Sequence, residues 1–368
     1  MKGWLSRLAG RQGAKDPASG PFWSEQEVEA LAKAVRNAPS VHNTQPWSLR
    51  VLGSTATLHE RPDLDLSWHD PQGRDRTISC GAALANLVLA VRNTGWAVDE
   101  RLEPSEEEPD VVACVLATRR EAPTAVESQR YRAIIRRTSH RRAFERRGLS
   151  DATYEALRSP ATSPDVYARW VTGEQEAFEL ARLLGYAARA RRGDEHYQRE
   201  LALWTQRTAD AEPPEGLPSD AHAFGGVPAV GLVTSSGALP DEHVLASRIE
   251  DEAVLVLSTR DDSRSARLRL GEAMQLAWLE ATSLGLATSV MTHPFQLSEV
   301  RRVLAERLGL PGTPWVVMRF GYPTVPPPRS SRRPLSDTFH AEGGAADSDD
   351  EAFDTEEDAF HAENRADQ

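Results

Sequence analysis

Only two cysteines occur in the 368 residues, Cys80 and Cys114, far apart and without metal-ligand spacing. Neither a structural disulfide nor a zinc site is expected. Lysine is almost missing as well: Lys2, Lys15 and Lys33 are the only ones, so arginine carries nearly all the positive charge. No apolar run approaches the roughly 18–20 residues of a membrane span. The N-terminus is basic and Gly/Ala-rich, and its apolar residues are too sparse for a secretory h-region, so a cytoplasmic location is expected. There is no Gly-x-Gly-x-x-Gly after a strand, no Walker sequence, no Gly-x-Ser-x-Gly and no His-Glu-x-x-His. The sequence grounds for a Rossmann unit, a P-loop, a serine hydrolase or a zinc protease are therefore absent.

The formal charge of −12 is unevenly placed. From Ala341 to Gln368 there are eleven acids and one arginine, and the rest of the chain carries 44 acids against 42 bases. The body is thus nearly neutral. The acidity belongs to a tail expected to be disordered, and it offers no support for a nucleic-acid partner.

Residues 1–21 read as a flexible basic arm. Ser24-Glu25-Gln26-Glu27 is a capping box that opens a helix with Val28, Leu31, Ala32 and Val35 on one face, closed by Pro39. Leu49–Val51 and Ala56–Leu58 straddle Gly53-Ser54 as a hairpin. Helices are expected over Ile78–Thr94, Thr124–Arg137, Asp151–Leu157, Phe178–Arg192, Leu268–Leu284 and Ser298–Leu308. Strands are expected over Val111–Thr118, Val166–Val171, Ala253–Thr259, Ala287–Met291 and Trp315–Phe320. Long helices interleaved with apolar strands point to an α+β or α/β sandwich.

An internal repeat sharpens this. Gly81–Ala97 aligns without gaps on Gly271–Ala287, with Gly, Ala, Leu, Gly and Ala coinciding at the first, third, ninth, fifteenth and last positions, and Arg74 corresponds to Arg264 at the same offset. Two helices with glycine at both ends at one spacing favour a duplication over chance composition. Tyr186 to Pro228 breaks the rhythm with Tyr197, Trp204, Pro213-Pro214 and Gly225-Gly226. It is a candidate lid, or a surface excursion that covers part of the core.

Two segments carry chemistry. Ala38-Pro39-Ser40-Val41-His42-Asn43-Thr44-Gln45-Pro46-Trp47 presents neutral hydrogen-bonding groups beside an indole, which suits a flat, polar-edged ligand. Arg136-Arg137-Thr138-Ser139-His140-Arg141-Arg142-Ala143-Phe144 sets hydroxyls between two arginine pairs. Guanidinium forks with hydroxyls match a phosphate monoester; the plainer reading is a solvated basic face.

At these residues the chain resembles the FMN-dependent nitroreductases. Arg137-Thr138-Ser139-His140-Arg141 looks like their Arg-rich serine motif, and Ala38-Pro39-Ser40 with Asn43 and Gln45-Pro46-Trp47 is similar to their Ala-Pro-Ser-x-x-Asn-x-Gln-Pro-Trp motif. Gly309-Leu310-Pro311 and Phe320-Gly321-Tyr322-Pro323 resemble their C-terminal signature. The order of the two motifs is reversed relative to ordinary members. That reversal, the internal repeat and the length look like the Acg subfamily, in which two nitroreductase halves are fused. The resemblance covers roughly residues 22 to 340.

It implies an α+β, nitroreductase-like α/β/α sandwich of two pseudo-repeated halves, 22–135 and 136–340, mimicking a nitroreductase dimer, with 186–228 as candidate lid and 341–368 as tail. It implies one FMN per chain, with Arg137, Ser139 and Arg141 at the phosphate and its nearby polar edge, and a late arginine (Arg329, Arg332 or Arg333) completing the charge. Ser40 and Asn43 would approach from the other half, with Gln45 supporting their loop, and the Met291-Thr292-His293 backbone would lie against the ring. NAD(P)H would be the co-substrate, and a nitro compound, quinone or related small molecule the electron acceptor. No protein acid or base is named, because hydride chemistry belongs to the cofactor; His42, His140 and His293 read as hydrogen-bonded structural histidines. No metal, nucleic acid or membrane is expected, and the chain would be a monomer that mimics a dimer, or a weak homodimer. The alternative is a non-enzymatic flavin-binding protein whose lid closes the site. A weaker third reading is azoline or peptide dehydrogenation, for which no residue speaks.

Overall fold

The computed structural model describes residues 22–341, apart from 104–105, 206–215, 218–225, 236 and 326–328. The expected arm, the acidic tail beyond 341 and much of the insertion lie outside the described residues.

Helix α1 (Glu25–Arg36) starts at the capping box read from the sequence: the Ser24 side chain accepts from the Glu27 N–H, and the Glu27 carboxylate accepts from the Ser24 N–H. Strands β1 (Trp47–Leu52) and β2 (Thr55–Glu60) form the hairpin, turning where Gly53 has φ 56°. Helix α2 (Arg74–Asn93) is followed by β3 (Trp96–Leu102), β4 (Val111–Arg120) and α3 (Ala125–Ala133). The second half runs α4 (Asp151–Arg158), β5 (Val166–Trp170), α5 (Gly173–Arg192), α6 (Glu195–Thr205), α7 (Glu242–Glu250), β6 (Ala253–Thr259), α8 (Arg264–Ser283), β7 (Ala287–Met291), α9 (Ser298–Leu308), β8 (Thr313–Gly321) and a short β9 (Phe339–Ala341).

Two sheets result. One has the order β3-β4-β2-β1-β9 and the other β5-β6-β8-β7. Strand β3 was not legible beforehand: it is an edge strand carrying Asp99, Glu100 and Arg101, and charge on an edge hides the apolar alternation while discouraging further pairing. Strand β9 crosses from the second half to lie parallel to β1, with Leu49 opposite Phe339. The C-terminal segment therefore straps the first sheet.

The repeated helices α2 and α8 pack against each other at their glycines. A Cβ on Gly81 would stand 2.1 Å from the Leu268 carbonyl oxygen, and one on Gly271 would stand 2.1 Å from the Ile78 carbonyl oxygen. The contact is reciprocal in repeat coordinates, and so is the packing around it. Ile78 of the first half belongs to the hydrophobic core of the second, and Leu268 of the second belongs to the core of the first. Burying each such side chain contributes about 1.5–3 kcal/mol. The flanking ion pairs cross in the same way: Arg74 reaches Asp262 at 2.7 Å, and Arg264 reaches Glu60 at 2.6 Å.

One helix is shorter than its sequence indicates. Expected to reach Arg137, α3 ends at Ala133. The following segment is pinned from outside, where the His140 N–H donates to Thr288 O at 2.9 Å and the Glu145 N–H to Tyr322 O at 2.9 Å. Phe144 packs onto Gly321, where a Cβ would come within 2.5 Å of its ring. These non-local anchors override the local helix propensity of the arginines.

Candidate functional site

Two adjoining cavities open between the halves, sharing Pro39, Ser40, Ser139, Arg141 and Leu217 in their walls. The larger, about 310 Å³, is lined by Arg36, Arg137, Arg141, Arg329 and Arg332, with the hydroxyls of Ser40, Thr138 and Ser139, and among the described residues no acid lines it. The smaller, about 110 Å³, is lined by Ile78, Met274, Trp278 and Met291 together with Ser139, Ser289, Thr292, His42, His69, His293 and Asp75.

In the basic cavity positive charge is concentrated. Arg137 is buried, stacks over the Trp278 ring at 4.5 Å, and leaves Nε and Nη1 without a hydrogen-bond partner. Burial, then Arg332 and Arg141, push its pKa well below the ordinary value. Burial brings Arg141 down to about 10, and burial with Arg36 brings Arg332 to about 10. A guanidinium keeps its proton at any ordinary pH. The cost is therefore held as positive charge facing a void, a setting that an anion relieves.

The Ser40–Trp47 loop is strained and locked. His42, Asn43 and Gln45 have φ of 48°, 58° and 52°, a left-handed conformation that costs non-glycine residues about 1–3 kcal/mol each. The Gln45 N–H donates to Ser40 Oγ at 2.9 Å, and Gln45 Nε2 donates to Asn43 O at 3.2 Å. Asn43 Nδ2 donates to Ser331 O at 3.0 Å while its Oδ1 accepts from Arg332 Nη1 at 2.9 Å. The Arg333 N–H in turn donates to Gln45 Oε1 at 2.9 Å. Thus Asn43 and Gln45 grip the C-terminal strap and set Arg332 at the cavity edge. Trp47 is wholly buried as a core indole.

Ten of the twelve residues expected from the sequence line one or both cavities: Ser40, Asn43, Arg137, Ser139, Arg141, Met291, Thr292, His293, Arg329 and Arg332. Gln45 and Arg333 do not; both are buried and joined to each other behind the wall. The structure adds Arg36, which reads as an ordinary helix-end arginine, and Trp278, which reads as one apolar position in the repeat helix. It also brings His42 to His69 and Asp75, three residues whose meeting no local spacing signals. Among the described residues no cluster suited to a metal ion occurs and no helix is long and apolar enough to cross a membrane.

The chain matches the model of the Nitroreductase family over residues 103–322. It is 33% identical over 324 residues to "Putative NAD(P)H nitroreductase Rv3131" of Mycobacterium tuberculosis, covering 83% of this chain and 88% of that protein. It is 30% identical over 326 residues to "Putative NAD(P)H nitroreductase acg" of the same organism, covering 85% and 95%. Nitroreductase A from Vibrio parahaemolyticus superposes with a TM-score of 0.37 at 16% identity, over 64% of this chain and 86% of that one.

Proposed function

Because the chain belongs to the nitroreductase family of oxidoreductases, we propose that it holds one FMN between its two halves, takes hydride from NAD(P)H and passes the electrons to a quinone, nitro compound or related small acceptor. The observation that carries this reading is the pairing of cavities: an anion-seeking chamber with five arginines and, among the described residues, no acid in its wall, adjoining at Ser139 and Arg141 a neutral chamber walled by an indole, two thioethers and hydroxyls. A ligand with a phosphate at one end and a flat, polar-edged ring at the other fits both. The unpartnered Nε and Nη1 of buried Arg137 supply the donors such a phosphate needs.

Arg137, Arg141 and Arg332 would hold the phosphate, with Arg36 and Arg329 adding charge. Ser40, Ser139 and Thr292 would meet the polar edge of the ring, and Trp278 with Met291 its apolar surface. Bound FMN would supply the hydride acceptor and donor that no side chain here provides. The protein's part is to orient the ring, exclude water and present positive charge.

Leu217, from the 186–228 insertion, lines both cavities, and its N–H is held by Trp204 O at 2.7 Å. A residue of that insertion standing over the ring chamber favours one second reading, a flavin-binding protein closed to nicotinamide. The visible spectrum of the purified protein separates the two. Rapid anaerobic bleaching by NADPH supports the enzyme, bleaching by dithionite alone supports sequestration, and a colourless chain that cannot be reconstituted with FMN overturns both.

A further inference from the structure

The neutral cavity ends on a line of buried protonatable groups that phosphate binding does not use. His42 Nε2 lies 3.0 Å from His69 Nδ1, with the rings nearly perpendicular at 76°. His69 Nε2 lies 3.3 Å from Asp75 Oδ2, within ion-pair distance but off the hydrogen-bond axis, so that nitrogen has no aligned partner. Asp75 accepts from Thr292 Oγ1 at 2.6 Å and from Gln296 Nε2 at 3.0 Å. All three members are buried, at 9%, 4% and 3% exposure, and all three line the cavity.

The surrounding charges disfavour imidazolium. Burial is the largest cause at each histidine; His69 and Arg141 add to it at His42, and Arg191 brings His69 down to about 3. His293, facing the same space, is lowered by burial and by His69, Arg191 and His42. The carboxyls move the other way. Burial raises Asp75 to about 6 against Thr292, Gln296, Arg191 and Arg74, and burial with Asp75 raises Asp70 to about 7. Tyr197, stacked on His69 at 5.6 Å, is held protonated by burial. The imidazoles therefore pass protons as neutral tautomers, and the carboxyl is the member whose proton is labile near neutrality.

We propose that Asp75, His69 and His42 form a proton path that delivers one proton from the Asp75 carboxyl, through His42 Nδ1, to an acceptor bound in the neutral cavity. A small rotation of the His69 ring aligns its Nε2 with the carboxyl. The Asp75 proton then moves to His69 Nε2, the His69 Nδ1 proton to His42 Nε2, and the His42 Nδ1 proton to the acceptor oxygen. Asp75 is left as carboxylate and both rings are left neutral with the proton on Nε2; the path resets when water protonates His42 Nδ1 and the same shifts run in reverse, returning the proton to Asp75 and both rings to the Nδ1-protonated tautomer. Reduction of a quinone to a hydroquinone, or of a nitro group to a nitroso group and water, consumes one hydride from NAD(P)H and one proton from solvent. The path supplies that proton. His42 is the catalytic residue, and His69 and Asp75 are positioning residues that act through it. The inference rests on the flavin reading for its chemistry and is tested partly without it.

Ring ¹⁵N spectra of the full-length, FMN-free protein follow the tautomers of His42 and His69 across pH. Both rings should stay neutral and exchange tautomer together as Asp75 ionises, near pH 6. In Asp75→Asn both should remain protonated on Nδ1 at every pH. Rings indifferent to pH in the wild type overturn the path, and that titration decides the matter if the variant fails to fold. With FMN bound, His69→Gln should lower kcat for benzoquinone by about a hundredfold, the scale of general acid catalysis. KM and FMN affinity should stay unchanged and the fall in kcat as Asp75 ionises, near pH 6, should vanish; an unchanged profile overturns the proposal. A chain that takes up no FMN sinks the earlier reading, and the tautomer titration still stands as the test of the path.

Discussion

Gly81 and Gly271 meet Cα to Cα across the two repeated helices, so closely that a methyl on either would fall 2.1 Å from a carbonyl oxygen of the other helix. Only the hydrogen side chain permits that approach. The crossing fixes how the halves meet, and hence the spacing of the walls that each half lends to the cavities.

Gly81→Ala and Gly271→Ala should each destabilise by about 1–3 kcal/mol or more, because the obstacle is backbone and cannot turn aside. Gly148→Ala, where nothing lies within 4 Å and no positive φ occurs, should be nearly neutral. Urea unfolding of the three variants checks this. Equal stability for all three would show that the helices separate freely.

Arg137→Ala and Arg141→Ala should each weaken FMN binding by about 10- to 100-fold, since a hydrogen bond to a charged group contributes about 1.5–3 kcal/mol. Riboflavin, which lacks the phosphate, should bind equally well to variants and wild type. Fluorescence titration with both ligands tests the assignment, and a parallel loss for riboflavin would move the phosphate elsewhere.

Asn43→Ala removes both the acceptor that holds Arg332 and the donor to Ser331 O. FMN affinity should fall by about tenfold even though the side chain's bonds all run to the C-terminal strap, and proteolysis within 329–341 should accelerate. Charge-assisted hydrogen bonds of this kind set the scale. An unaltered cleavage rate would mean the strap is held by β9 alone.

Stability should depend on pH with two opposing signs. His42, His69 and His293 have lowered pKa values, so the folded state binds fewer protons than the unfolded one below about pH 6.5, and stability falls as the pH falls. Asp70 and Asp75, raised to about 7 and about 6, act oppositely, and their stabilisation fades as the pH climbs from about 4 to 7. Between pH 4.5 and 6, His69→Gln should reduce the slope of unfolding free energy against pH by about one proton, roughly 1.4 kcal/mol per pH unit. Asp75→Asn should steepen it, by about half to three-quarters of a proton. Denaturation series at four pH values would reveal slopes that fail to diverge.

Absorbance titration should reach one FMN per chain. The Arg137-Thr138-Ser139-His140-Arg141 run and the Gln45-Pro46-Trp47 loop each occur once in the sequence, so a stoichiometry of two would overturn the reading of a single functional interface.

What the sequence made legible was whatever depends on near neighbours. The Ser24–Glu27 cap, the Gly53 hairpin and the apolar strand Ala253–Thr259 follow from spacing and burial period. The arginine-serine cluster was visible because its members are consecutive. Helix α3 was read too long because its terminator is a strand contact at Thr288, about 150 residues away in sequence. Gln45 was read as a support of the Ser40 loop and Arg333 as one of three candidate late arginines, but the hydrogen bond that joins them spans 288 positions and leaves no local mark. Trp278 and Arg36 lacked any local mark that would separate a wall of a cavity from a core or a surface. The histidine line stayed hidden for the same reason: His69 and Asp75 carry no motif, and their meeting with His42 arises only where α2 and the Ser40 loop come together.

The crossing of α2 with α8 is made within one polypeptide, which changes the mass-action law that governs the cavities. Two halves tethered by continuous chain meet at a fixed effective concentration. Cavity assembly is then first order and insensitive to dilution, whereas a site shared by separate subunits dissolves as protein becomes scarce. A cell can keep this protein at very few copies and each copy still carries its complete pair of chambers.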